Sequence, residues 1–303
     1  MPAFLTHMIG AEDVLKQLRN PHIKKTITEH MDAYHCGAQG GDYFYLYKYY
    51  AVLRGHTFKL FGYGLHRART QRFFVEGAEY VKQHPSGLLK AFFLGYVTHY
   101  CFDYIMHPPI NALAPNTMKE HNTLEYAIDT LYARKNGIDA MEFDRAAFVR
   151  QTTVHTNEIS DFFNFVKDRL YYGFRLKKNA YHIAYKYFEK YNSKMYKPSE
   201  KQMRWIRLQN RFTVLNLLTM LYYPYDQIKD LYNYDPFFEY IEKAIQKSLY
   251  YFEILDGYWR GERDISVLQS VFYNVNFNGM PIVPTEERKE FRRLYKKAKL
   301  KLW

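Results

Sequence analysis

Cysteine is almost missing from this chain of 303 residues: Cys36 and Cys101 are all it has. Two thiols make no disulfide framework, so the fold has to be held by packing, and a reducing compartment suits it. Long uninterrupted apolar runs are missing too. The most apolar long window, Gly87 to Met106, contains Lys90, His99 and Asp103. Three ionisable groups in one span argue against a membrane-crossing helix. The opening residues MPAFLTHMIGAEDV have neither the basic start nor the apolar stretch of a secretory signal. A soluble, cytoplasmic protein is the expectation. Acidic residues are the minority charge, 31 Asp and Glu against 43 Lys and Arg, for a net charge of +12. That excess suits anionic partners such as lipid headgroups, nucleic acid or phosphate esters, without choosing among them. It equally suits a basic protein kept soluble by its charge.

What the chain does have is apolar and aromatic material, 48% and 19% of residues, with 31 Tyr and 23 Phe. This is enough for one large domain with a substantial core. Strand signals are scarce and helical spacing dominates. Ile23, Ile27 and Met31 repeat at four-residue steps behind Pro21, which is well placed to start a helix. The glycines of residues 36–42, CGAQGGD, interrupt the pattern. Further helices are expected over about Arg67 to Lys82 and over Gly87 to Met106, the latter stopped by His107-Pro108-Pro109. A loop at 111–117 then leads into a helix holding His121, Glu125 and Asp129. Long helices are expected at Ala146–Leu170, Leu176–Tyr191, Lys201–Tyr222 and Pro236–Gly257. No linker or repeat interrupts them, so the fold class is all-α, a single multi-helix domain over residues 1–303.

Ten of the twelve histidines fall within the first 121 residues, and their spacing is informative. His99 and Asp103 stand at i and i+4, neighbours on one helix face, and His121 and Glu125 repeat the device. Two such pairs on facing helices are how helical bundles hold metal ions, and His107 would add a ligand from the loop. Imidazole mixed with carboxylate suits zinc, with manganese, iron or cobalt left open. His99 and Asp103 sit among Phe92, Phe93, Leu94, Val97, Phe102, Ile105 and Met106. A carboxylate buried there costs several kcal/mol unless a cation or strong donors compensate it.

The segments THMIGAEDVL, GAQGGD, GLHRARTQRFF, AFFLGYVTHYCFDYIMHP and HNTLEYAID cover most of residues 6–129 in order. They resemble the zinc-dependent phospholipase C family, related in fold to single-strand-specific fungal nucleases. The resemblance implies two to three zinc ions in the helical core. Asp103 would bridge two ions, with His66 and His99 on one and His7 on the other, while His107, His121 and Glu125 would hold the third. Asp42, at the end of the glycine loop, would be a metal ligand or general base; read from the residues alone it is an N-cap of the helix at Tyr43. Two histidines compete for the position after Asp42: His56 matches the spacing of the secreted enzymes, His66 the motif of shorter intracellular relatives, and His66 is favoured. Residues 1–130 would then be the metal-site half and 131–303 a helical covering half.

The implied reaction is hydrolysis of a phospholipid headgroup ester by metal-activated water, with a phospholipid or other phosphodiester as partner and no stable protein partner. A nuclease or small-molecule phosphodiesterase on the same metals is the nearest alternative. A non-catalytic, metal-stabilised binding protein is the alternative from another class, though structural zinc sites are typically closed and Cys-rich. Residues 286–303 form a basic amphipathic stretch with Phe291, Leu294, Tyr295, Ala298 and Leu302 on one face. It suits an anionic membrane surface, but packing of its apolar stripe on the domain is the reading we favour.

Overall fold

The computed structural model describes residues 3–49, 56–148, 153–212 and 216–300. Helices α1 (Phe4–Gln17), α2 (Pro21–Glu29) and α3 (Met31–Gly37) open the chain. After the glycine loop come α4 (His56–Arg67), α5 (Thr70–Gln83), α6 (Gly87–Leu113) and α7 (Met118–Lys135). The second half comprises α8 (Arg145–Phe148), α9 (Thr153–Leu170), α10 (Ala180–Met195), α11 (Glu200–Asn210), α12 (Tyr225–Ile228), α13 (Asp235–Trp259), α14 (Ile265–Val271) and α15 (Pro284–Leu300). Among the described residues the only β pairing is an isolated bridge between Val275 and Pro281. The protein is all-α.

The most apolar segment becomes the axis of the molecule. Helix α6 is buried on nearly every side, and α3 and α13 pack most extensively against it. Backbone meets backbone where α3 crosses α6: a Cβ on Gly37 would stand 2.0 Å from the Phe92 carbonyl oxygen, and one on Gly95 2.1 Å from that of Tyr34. Any side chain at either position would force the two helices apart. One hydrophobic cluster runs from Phe4 to Leu294, so helices from both halves share it.

Several boundaries differ from expectation, and one changes the chemistry. Helix α6 does not stop before Pro108 but carries Pro108 and Pro109 within it and ends at Leu113. The prolines leave the Tyr104 and Ile105 carbonyls without their usual i+4 donors. Burial of Met106, His107 and Ile110 on the inner face keeps the helix going nonetheless. His107 is therefore a helical residue and not a loop ligand. The expected helix over Arg67–Lys82 is divided at Arg69, which takes a left-handed φ of 59° between α4 and α5. The helix expected from Lys201 to Tyr222 ends at Asn210 and is followed by a separate 3-10 turn at Leu217–Met220. Of the apolar stripe in α15, Phe291 and Leu294 are buried, and the helix packs on α4. The Tyr295 and Ala298 side chains and all of Leu302 lie outside the described residues.

Candidate metal centre

Four helices and one loop bring the expected residues together. Helix α6 carries His99, Asp103 and His107 at successive four-residue steps, one stripe on its inner face. Helix α7 supplies His121 and Glu125, α4 supplies His66, α1 supplies His7, and the loop after α3 supplies Asp42. All eight fall into three groups whose potential ligand atoms lie within 4.8 Å of one another: His7, His99 and Asp103; Asp42, His66 and His99; His107, His121 and Glu125. His99 belongs to the first two groups, so those adjoin. His56 begins α4 one helical stretch earlier, and its side chain lies outside the described residues.

Separations inside the groups are those of atoms that share an ion. His7 Nε2 stands 3.2 Å from Asp103 Oδ1. His66 Nε2 stands 3.2 Å from Asp42 Oδ1 and 3.9 Å from Asp103 Oδ2. His99 Nε2 lies 3.6 Å from Asp103 Oδ2, and the Nε2 atoms of His66 and His99 face each other at 3.4 Å. A tetrahedral ion with ligands at about 2.0–2.1 Å holds neighbouring ligand atoms about 3.4 Å apart. Hydrogen bonding does not account for the cluster: both nitrogens of His7, Asp42 Oδ1 and both carboxylate oxygens of Asp103 are buried without a hydrogen-bond partner. Unpaired buried polar groups are costly and rare. A cation in each of the first two groups would satisfy several at once, so these residues fit zinc.

The outer nitrogens are held so that the inner ones face the centre. His66 Nδ1 donates to the Gly62 carbonyl at 2.8 Å and His107 Nδ1 to the Asp103 carbonyl at 2.9 Å. Each fixes a tautomer whose Nε2 is unprotonated, as metal-binding histidines require. In the third group His121 Nε2 meets Glu125 Oε1 at 2.7 Å. Electrostatics agree. Burial pushes the His7 imidazole down to about 4 and those of His99 and His107 well below their usual range, so all three are held neutral, the form in which an imidazole can bind a metal. Burial also drives the Asp103 carboxyl well above its usual range. The polypeptide alone does not sustain this carboxylate; a cation beside it would.

The glycine loop brings its backbone directly against an imidazole of the centre. Gly40 adopts a φ of +53°, and a Cβ there would stand 2.0 Å from His99 Cδ2. Only glycine permits both the left-handed turn and the close approach. Asp42 opens a short 3-10 turn, Asp42–Phe44, but its N-cap residue is Gly41 and no side-chain cap bond forms. The capping alternative for Asp42 is not what the structure contains.

Two contributors escape local sequence reasoning. Asp129, wholly buried on α7, accepts from the Leu5 and Thr6 amides at 2.7 and 2.8 Å and from the Tyr222 hydroxyl at 2.7 Å. It satisfies the open N-terminus of α1 from another helix and so sets the depth of His7. Phe277 covers the imidazoles: its ring centroid lies 4.7 Å from that of His66 and 5.8 Å from that of His99, and its amide donates to the His66 carbonyl. His35 and His155 lie outside the groups, each 2.5 Å from a carboxylate, Glu12 and Asp32 respectively.

The centre opens into a cavity of about 670 Å³. Asp42, His66, His107, His121 and Glu125 line it together with Phe4, Leu46, Phe188, Tyr191 and Met220. Over residues 6–194 the chain matches the model of a family described as zinc dependent phospholipase C, a span reaching past the residues that carry the sequence resemblance. No curated protein and no solved structure matches it.

Proposed function

Because the chain belongs to the zinc-dependent phospholipase C family, we propose that it hydrolyses the phosphodiester of a phospholipid, releasing diacylglycerol and a phosphorylated headgroup. The observation that carries this reading is the cavity lining, where five candidate ligands share one space with apolar side chains. A lipid diester needs both: cationic stabilisation at phosphorus and apolar wall for the tails. Zinc, when bound, supplies Lewis acidity at a phosphoryl oxygen and a water whose pKa falls from 15.7 to about 7.

The chain's own residues do the rest. Asp103, His7, His66 and His99 form the buried base of the site and hold its charge in place. His107, His121 and Glu125 offer a further group on the cavity wall. Asp42 differs from Asp103 in lining the cavity, while its Oδ1 is turned to His66 Nε2 at 3.2 Å. Its carboxylate is the group available to orient the attacking water or accept its proton. Phe277 shields the His66 and His99 imidazoles from bulk water, which strengthens every charge interaction inside.

The test is release of p-nitrophenol from its phosphocholine ester and of headgroup from phospholipid micelles, beside digestion of single-stranded DNA. Hydrolysis of both lipid-type substrates, abolished by chelation and restored by zinc, is the expected result. DNA digestion without phospholipid cleavage would move the substrate to nucleic acid. Zinc-loaded protein that turns over neither would make it a binding protein.

A further inference from the structure

We propose that the mouth of the metal-site cavity, together with the outer face of α15, is a docking surface for an anionic lipid bilayer. Large apolar side chains stand exposed around that mouth: Tyr63 at 41%, Met118 at 54% and Met280 at 61%, all three lining the cavity. Val283, 47% exposed, lies just beyond, in a hollow where Lys289 and Arg293 of α15 alternate with Glu286, Glu287 and Glu290, and Arg293 pairs with Glu290 at 2.7 Å; the hollow itself is balanced in charge. Arg67 and Asn278 line both the cavity and this hollow, so the two are one continuous surface.

The turn that carries Met280 is firmly seated. A Cβ on Gly279 would meet Pro108 Cγ at 2.5 Å and the Tyr104 carbonyl oxygen at 2.7 Å, so the turn rests directly on α6 at Pro108. Met280 is thus presented outward from a fixed base. Helix α15 turns Phe291 and Leu294 inward onto the domain, so these two side chains have no part in docking. What it presents outward is an excess of positive charge: Arg288, Lys289, Arg292, Arg293, Lys296 and Lys297 are all exposed, against Glu286 as the exposed carboxylate among its described side chains.

Charge and shape together select the occupant. A phosphodiester backbone would satisfy the basic face but has nothing to offer exposed methionine and valine side chains. An anionic bilayer satisfies both, with phosphates for α15 and the acyl boundary for Met118, Met280 and Val283. Tyr63, under the Arg67 guanidinium, suits the headgroup level between them. The same +12 net charge that left the partner open becomes directional once this face is known.

The experiment is co-sedimentation of the zinc-loaded protein with vesicles of phosphatidylcholine alone and mixed with phosphatidylglycerol, set beside anisotropy with single-stranded DNA. The parent should prefer the mixed vesicles and release them as salt is raised. The triple variant Arg288→Glu, Arg292→Glu and Lys296→Glu should lose binding by at least about fivefold for each positive charge removed. It should still turn over the soluble p-nitrophenyl ester like the parent, which certifies its fold. Met118→Ser with Met280→Ser should weaken binding to both kinds of vesicle. Equal binding of parent and triple variant, or preference for DNA over mixed vesicles, would overturn the proposal. Soluble-ester turnover without vesicle binding rejects the docking surface and leaves the hydrolase reading intact; vesicle binding without turnover does the reverse.

Discussion

Asp103 Oδ1 lies 3.2 Å from His7 Nε2 with both side chains buried, yet no hydrogen bond joins them or satisfies either carboxylate oxygen of Asp103. Ion-pairing a protonated His7 is no remedy, because burial holds that imidazole neutral down to about pH 4. A neutral ring and an unsatisfied carboxylate are stable neighbours only with a cation between or beside them. Protein purified without chelator should therefore carry about two to three equivalents of transition metal, zinc foremost. Stripping the metal should lower the melting temperature. Each site saturated about a hundredfold above its Kd restores about 2.7 kcal/mol. Elemental analysis and a zinc titration of thermal melting check this, and a metal-free protein indifferent to zinc would refute the centre.

The cap on α1 from α7 predicts a second effect. Asp129→Ala would leave the Leu5 and Thr6 amides and the Tyr222 hydroxyl without their common acceptor. Hydrogen bonds to a charged group are worth about 1.5–3 kcal/mol each, partly recovered by water and relaxation. We expect a loss of about 3 kcal/mol in a urea unfolding curve. Because α1 carries His7, zinc content should fall as well. Lost stability with full metal would show that α1 is anchored mainly by its apolar face.

Local spacing along the chain accounts for part of this centre and not for the rest. The eight candidate ligands were within reach because most lie at four-residue steps on helices, a local regularity that spacing expresses directly. Asp129 was visible as one more step on α7, but its partners are 123 and 124 residues away, and no spacing encodes a contact of that range. Phe277 is likewise invisible, since a phenylalanine beside a turn looks the same whether it covers a metal site or ordinary core. The misplaced end of α6 has a different cause. Proline's local preference is real, but it lost to the burial of Met106, His107 and Ile110 on the same helix. Tertiary packing decided there, and it moved His107 from a loop into the stripe.

Acid should weaken one clasp between the helices that lead into the site. Glu12 of α1 meets His35 of α3 at 2.5 Å, and that hydrogen bond holds the carboxyl below its ordinary range. A group with a depressed folded-state pKa contributes stability that is present above its unfolded value of about 4.5 and is lost as pH falls through the folded one. The unfolding midpoint of Glu12→Gln should therefore trail the parent at pH 6 and converge with it as the pH is lowered below about 4. A gap that stays constant or widens in acid would show that the pair contributes through packing instead.

Asp103 and Asp42 are both carboxylates within reach of His66 and His99, yet their replacement by asparagine should fail in different ways. Asp103 is fully buried mid-helix, one turn from His99 and one from His107, and its two oxygens face different imidazoles: Oδ1 faces His7, Oδ2 faces His66 and His99. An amide puts a neutral oxygen and an N–H donor where two oxygens of a charge were shared. Cations in the adjoining groups would lose common neutralisation and repel each other. Metal binding is folding free energy when the metal prefers the native state, so Asp103→Asn should lose zinc and melt earlier. Asp42 lies on the glycine loop and borders the cavity, where in the proposed reaction its carboxylate would act on water. Asp42→Asn should keep most metal and stability but lose turnover by about 10²–10⁴-fold, the range for a general base. Metal stoichiometry, melting temperature and turnover on a soluble diester, measured for both variants, separate the two roles. An Asp103→Asn protein that holds its full zinc and melts like the parent would show that Asp103 bridges nothing, and the shared-carboxylate arrangement would fall with it.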